Sequence, residues 1–330
     1  MVENRSEILF LYDAKDINPN GDPMDENKPR IDEELGINIV TDVRLKRTIR
    51  DYLHDYKKQE ILVRKIEYET GKIQDAKMRA EDFLKRNGEK IIKDSITLAE
   101  MKKIILENIL KECIDVRLFG GTIPIEKTKT DKSAITLTGP VQFRMGRSLH
   151  KVEVVHIKGT GAFASEAGKE QKTFREEYVL PYSFIGFYGL INENASKYSQ
   201  LTEEDVKLLL NAMWNGTKNL ISRSKIGQMP RLLLRVIYKE NNYHLGDLDK
   251  KIHITKGQGM SDEKLRNIND FQVDVTKLWT LLHDNKDKIL RAEIQLDPDL
   301  TLINEGEIIT LDNFKEAFKD SFTTTNLCLQ

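Results

Sequence analysis

"EILFLYDAKDINPNGDPMDEN", residues 7–27, admits two readings, and the choice between them decides the fold. Its second half places Asp16, Asn18, Asn20 and Gly21 at the first, third, fifth and sixth positions of an EF-hand calcium loop. The twelfth position should carry the bidentate Glu that closes the coordination shell; it is Asn27, and Glu26 falls one residue early. An EF-hand also needs a helix before its loop, whereas residues 7–13 are an apolar run of strand length. The stretch therefore reads as a first strand entering a turn-rich loop shaped by Asn-Gly and Asp-Pro pairs. No metal site is assigned to it.

From that strand the pattern runs outward into an α+β chain. A helix is expected from about residue 42 to 54, capped by Thr41 or Asp42. Residues 59–112 are heavily charged with helical periodicity and read as an inserted helical subdomain. Strands return at 134–145 and 177–192, a capped amphipathic helix at 201–220 and a strand at 230–240. With the insertion set aside, the order is β-α-β-β-α-β, the ferredoxin-like order shared by RNA-recognition folds. Residues 270–297 read as strand-helix-strand and add a further layer.

A chain of 330 residues with 39% apolar content can fill a core. Its two cysteines, Cys113 and Cys328, offer neither a disulfide framework nor a zinc site, which fits a reducing cytoplasm. No signal-peptide pattern opens the sequence, and no apolar run approaches the ~20 residues of a membrane helix. The expectation is a cytoplasmic protein without a membrane partner. The net charge of −1 conceals three acid-poor windows, 41–50, 140–151 and 217–235, which carry +3, +3 and +5. These 41 residues hold +11, leaving −12 on the other 289, and a basic surface on an acidic body is the footprint of a polyanion binder. In the first helix, Leu45, Ile49, Tyr52 and Leu53 share a face that packs on the sheet, while Lys46, Arg47 and Arg50 project together toward a phosphate backbone.

Other motifs fail on context. "GTGAFASEAGK" (159–169) contains G-x-G-x-x-A with Glu176 and Glu177 downstream, but no run of βαβ units surrounds it. It is not a P-loop either, since six residues separate Gly161 from Gly168 and Glu170 stands where Ser or Thr is needed. His54, His150, His156, His244, His253 and His283 show no metal-ligand spacing and read as surface or packing residues. Asp13, Asp16, Asp22 and Asp25 could serve a metal-assisted ribonuclease, although a carboxylate-rich loop is more often solvated turn chemistry.

Six stretches, taken in order, resemble one family. They are "NPNGDPMDENKPRID" (18–32), "VTDVRLKRTIRDYL" (40–53), "DVRLFGG" (115–121), "LTGPVQFRMGRSL" (137–149), "YVLPYSFIGFYGLIN" (178–192) and "SRSKIGQMPRLLLRV" (222–236). The family is the CRISPR-associated Cas7-type backbone subunits of type I Cascade, in particular the type I-B (Csh-type) form. The resemblance implies a modified ferredoxin-like, RRM-like palm over 1–58 and 113–240, a helical finger insertion at 59–112, a thumb hairpin at 155–177 and a C-terminal α/β extension at 241–330. It implies a non-enzymatic subunit that binds the CRISPR RNA spacer in a basic groove, assembles with copies of itself and other Cascade subunits, and presents the guide to target DNA in antiviral defence. Base pairing then reads sequence, and the protein needs phosphate contacts above all.

On this reading the RNA contacts are expected at Asn18, Asn20, Gly21, Thr41, Lys46, Arg47 and Arg50, at Arg144, Arg147 and Ser148, and at Ser222, Arg223, Ser224, Lys225, Gln228 and Arg231. Phe163 and Phe174, the thumb's only aromatics, are expected as wedges against the strand. No catalytic residue, metal or cofactor is expected. The alternative is a guide-bound, metal-dependent ribonuclease of type III kind using Asp13 or Asp16; a nucleotide-binding enzyme is more remote. One departure concerns the RNA-recognition aromatic motif: "GFYGLIN" (186–192) has Ile185 where a base should stand, so Tyr178, Tyr182 and Phe184 are read as core rather than as stacking platforms.

Overall fold

The computed structural model describes residues 1–160 and 174–329. It is mixed α/β. In chain order its main elements are β1 (Ser6–Ile17), β2 (Ile37–Val40), α1 (Asp42–Asp55), α2 (Leu98–Glu112), β3 (Gly120–Glu126) and β4 (Lys132–Thr138). There follow β5 (Gly146–Lys151), β6 (Val155–Thr160), β7 (Phe174–Ile191), α3 (Glu203–Lys218) and β8 (Gln228–Tyr238). The last part holds α4 (Thr276–Asp284), β9 (Ile289–Leu296), α5 (Leu311–Phe318) and β10 (Thr323–Asn326).

β1 is the centre of the main sheet, which runs β10-β9-β8-β1-β7-β5-β2 and ends on the short edge strand Ile31–Asp32. It pairs antiparallel with β7 from Ser6↔Ile191 to Ile17↔Leu180 and antiparallel with β8 on its other edge. Both faces of β1 are covered, which is why its sequence is a continuous apolar run rather than an alternation. Ile8, Phe10 and Tyr12 face α1 and α3, packing with Ile49, Leu53, Leu209 and Met213. Leu9 and Leu11 face the C-terminal layer, packing with Phe271, Leu278, Leu282 and Phe318. Each such fully buried side chain contributes about 1.5–3 kcal/mol. Both helices start on designed-in caps: the Thr41 hydroxyl accepts from Arg44 N at 3.2 Å, and Thr202 with Asp205 closes a capping box.

Two buried polar clusters fasten β1 to the layer behind it. Glu7 accepts from the hydroxyls of Tyr188 and Tyr238 and from the backbone N–H groups of Leu245 and Gly246. Asp13 accepts from Arg231 at 2.9 Å and from the Tyr182 hydroxyl at 3.0 Å, and Arg231 reaches Asp297 at 2.8 Å.

The insertion differs from the helical expectation. Leu62, Phe83, Ile105 and Ile109 form a core of their own with Ile123 and Ile135 of the β3–β4 hairpin, but within 59–112 only α2, the short helix Ala76–Glu81 and the single 3-10 turn Lys93–Ser95 are helical. Lys85–Arg86 and Glu89–Lys90 instead form a two-stranded ribbon. Its turn is Asn87-Gly88, both with positive φ (53° and 86°), the hairpin signal that the surrounding charged residues obscured.

Candidate nucleic-acid interface

Two loops meet where β1 ends and β8 begins. Lys15 N donates to Gly227 O at 3.2 Å and Asn18 N to Ser224 O at 3.3 Å, while the Lys225 ammonium reaches the Asn18 carbonyl. Gln228 Nε2 donates to Lys225 O at 3.1 Å. The start of α1 joins them, since Asn20 Oδ1 accepts from both the Thr41 N–H and its hydroxyl, each at 2.9 Å. The first loop is held by its own polar groups. Asn18 Nδ2 donates to Asn27 O at 2.6 Å, and a Cβ on Gly21 would lie 2.8 Å from that same Asn27 carbonyl oxygen, so a larger residue there forces the loop to shift. The residues that imitate calcium ligands therefore set backbone shape.

The structure thus brings Asn18, Asn20, Gly21, Thr41, Ser222, Arg223, Ser224, Lys225 and Gln228 to one end of the sheet. Ser222, Arg223 and Ser224 are exposed. Arg223 has 61% of its side chain exposed, with Glu177 3.7 Å away. Lys225 is half-buried, and its pKa falls to about 8, first through burial and then through the nearby Arg44 guanidinium. Arg44 was not anticipated. It is half-buried, donates to Thr48 Oγ1 at 2.9 Å, and leaves Nε without a partner among the described residues. Burial lowers its pKa as well. The available signal was its i, i+3 spacing to Arg47.

The cations of α1 divide. Lys46 pairs with Asp42 at 2.9 Å and lies over the Phe119 ring, with 14% of its side chain exposed. Arg50 pairs with Asp115 at 2.9 Å over the same ring. Asp115 also accepts from the N–H groups of Leu62 and Val63, so Arg50 anchors the insertion to α1. Arg47 is paired with Asp51 and donates to Val63 O at 2.8 Å. Arg231, expected at the surface, is 8% exposed and sits between Asp13 and Asp297. Arg235 is 1% exposed and bonds Ser6, Glu203 and Glu293. Two of the five cations in window 217–235 are therefore core groups, and the +5 overstates the surface charge.

The sequence model of the family described as CRISPR-associated protein Cas7 matches residues 4–276. The chain belongs to the Cas7 family. It is similar to the CRISPR-associated protein Cas7 of Haloferax volcanii, with 35% identity over 326 residues, covering 94% of this chain and 92% of that one. A chain of a solved structure described as "CRISPR RNA-guided surveillance complex, pre-nicking" has the same fold, with a TM-score of 0.53 at 10% identity, covering 96% of this chain and all of that one.

The remaining expected contacts of this Cas7-family chain are engaged by other groups or fall outside the described residues. Arg144 pairs with Asp247 at 2.6 Å over the Tyr188 ring. Gly146, two residues along from Arg144, pairs with Val40, the residue before Thr41, so the Arg144 backbone runs close to the start of α1 while its guanidinium is held by Asp247. Arg147 is half-exposed and pairs with Asp32 at 3.1 Å. Ser148 is buried, accepting from Asn38 N and donating to His150 O. Phe163 and the side chain of Phe174 fall outside the described residues.

Tyr182 and Phe184 are buried as expected, but Tyr178 is not core. It stacks on His156 at 4.4 Å, donates to Glu26 at 2.9 Å and faces a groove of about 510 Å³ that Lys28, Arg30, Thr41 and Met145 also line. Alternation misplaced it because β7 outruns the layer that buries its middle. Asp13, a candidate metal ligand, is buried against Arg231 and Tyr182, and burial raises its pKa. Asp16 is exposed with φ 55°. Among the described residues no three His, Cys, Asp or Glu side chains are grouped to hold a metal, and no helix is long and apolar enough to cross a membrane.

Proposed function

We propose that this chain is a non-enzymatic backbone subunit that holds a CRISPR RNA in several side-by-side copies, together with other Cascade subunits, and presents it to target DNA in the cytoplasm. The observation that carries this is the loop cluster: two polar loops and a helix start form one surface with Arg223 exposed and with Lys225 and Arg44 unpaired to any carboxylate among the described residues. Such a surface suits a sugar-phosphate backbone, which is positioned by cations, hydroxyls and backbone amides. Family membership and the sheet order β8-β1-β7-β5, with α1 and α3 on one face, support a ferredoxin-like, RRM-like palm. On this reading 59–112 is the finger, 155–177 the thumb and 241–330 an extension of the palm.

The test is the nucleic acid that co-purifies from cells carrying a CRISPR array. A discrete guide-length RNA, bound along multiple copies, is expected; no RNA, or random fragments, would refute the proposal. Incubating the loaded complex with complementary RNA and magnesium should give no cleavage. Regular cuts lost in Asp16→Ala would establish the ribonuclease instead.

A further inference from the structure

Lys225 is oddly placed for a phosphate contact. A lysine that only screens RNA is normally extended and hydrated, yet this one is half-buried with its ammonium on the Asn18 carbonyl. The charge that acts on it is another cation, Arg44, set on α1 just past the Thr41 cap that Asn20 of the same loop holds, and no acid acts on it. Around Arg44 stand Asp51, Arg47 and the Tyr12 hydroxyl, and Asp51 is already paired with Arg47. On the loop side the nearest ion pair is Arg223 with Glu177. Among the described residues neither Lys225 nor Arg44 has a carboxylate within ion-pair distance. Asn18 Oδ1 and Arg44 Nε are also buried without partners.

Two cations in one loop cluster without an anion are costly to keep charged in a partly dehydrated site, and the arrangement is relieved when an anion arrives. The loop geometry keeps them there in its absence. Asn18 N–H is bonded to Ser224, Gln228 bonds the Lys225 carbonyl, and Thr41 fixes the start of the helix that carries Arg44. Arginine, always charged, supplies the fixed half of the pair, and lysine supplies the half that can give up its proton.

We propose that Arg44 and Lys225 form a preformed seat for one phosphodiester of the bound RNA, and that filling it is coupled to uptake of a proton by Lys225. This rests on the RNA-binding reading above. The free amine takes a proton from solvent at Nζ as the phosphate oxygen approaches, and no other bond is made or broken. The near-neutral pKa of about 8 agrees with this, since it places the exchange in an accessible pH range. The other expected contacts, Arg223 and Thr41, bind without any change of charge.

The test is isothermal titration of the purified protein with single-stranded oligouridylate near pH 8, in buffers of different ionisation enthalpy. At that pH the free lysine is about half protonated and the phosphate-bound one fully so, giving uptake of about half a proton per subunit. Lys225→Arg keeps a permanent cation and should bring uptake to near zero; Lys225→Met should also weaken binding. Arg44→Gln should reduce uptake only in part, because burial, the larger cause of the lowered Lys225 pKa, remains. Binding by the unaltered protein with no uptake, or uptake that survives in Lys225→Arg, would overturn the seat while leaving the RNA-binding reading intact. Failure to bind RNA at all would overturn both.

Discussion

His150 gives the fold a sharp dependence on acid. The imidazole is 3% exposed, with Nε2 accepting from Phe184 N at 3.0 Å and Nδ1 2.7 Å from Lys151 O. The ring must be neutral to accept that bond, and burial lowers its pKa from 6.5 to about 4. The unfolded chain binds the proton first, so the contribution is full above pH 6.5, shrinks as pH falls and is exhausted below about pH 4. Over that interval the loss is about 3 kcal/mol, and roughly half of it falls between pH 7 and pH 5, before most carboxylates titrate. Asp13 and Asp249 do not imitate the effect: burial raises both, so protonation favours the folded state and their contribution has the opposite sign. Urea unfolding of the purified protein at pH 7, 6 and 5, beside His150→Gln, measures it. The variant should start about 1–2 kcal/mol less stable through its lost hydrogen bond but lose about 2 kcal/mol less on acidification to pH 5. Parallel pH profiles for the two proteins would refute the buried neutral imidazole.

Other perturbations separate the core cations from the surface ones. Arg231→Met strands Asp13 in the core and should cost about 3–5 kcal/mol in urea unfolding, with much of it restored by adding Asp13→Leu; a near-neutral single variant would return Arg231 to the surface. Lys46→Ala with Arg50→Ala should lower the melting temperature while leaving the salt dependence of RNA affinity unchanged. Arg223→Ala should leave stability within about 0.5 kcal/mol but flatten the slope of log affinity against log salt by about 0.7 per subunit; an unaltered slope would remove Arg223 from the contact set. Gly21→Ala should weaken RNA binding by distorting the loop around Asn27, and retained affinity would show that the loop tolerates the shift.

How much of this the sequence disclosed depended on the range of the interactions involved. EILFLYD read as a strand because its pattern is local, as did the Thr41 cap and the apolar face of Leu45, Ile49 and Leu53. That β1 continues to Ile17 was hidden, because Asp13 is made tolerable inside a strand by Arg231, 218 residues away. The same distance hid Arg231 itself: in a linear window it counts as surface charge, and only its two carboxylate partners reveal it as core. Arg50 misled in the same way through Asp115. Within the insertion the hairpin signal is local: Asn87-Gly88 lies among charged residues whose spacing resembles a helix face. The loop cluster was legible as a set of polar and basic residues, but Arg44 emerged only when the fold placed it beside Lys225.

The most direct test of the central claim is photocrosslinking of thiouridine-substituted guide RNA to the assembled protein, with the attached peptides identified by mass spectrometry. Crosslinks are predicted in the segments 15–30, 40–44 and 219–228, and they should weaken when Lys225 and Arg223 are both replaced by alanine. Crosslinks confined to the C-terminal layer beyond residue 241, with these three segments unlabelled, would contradict the account.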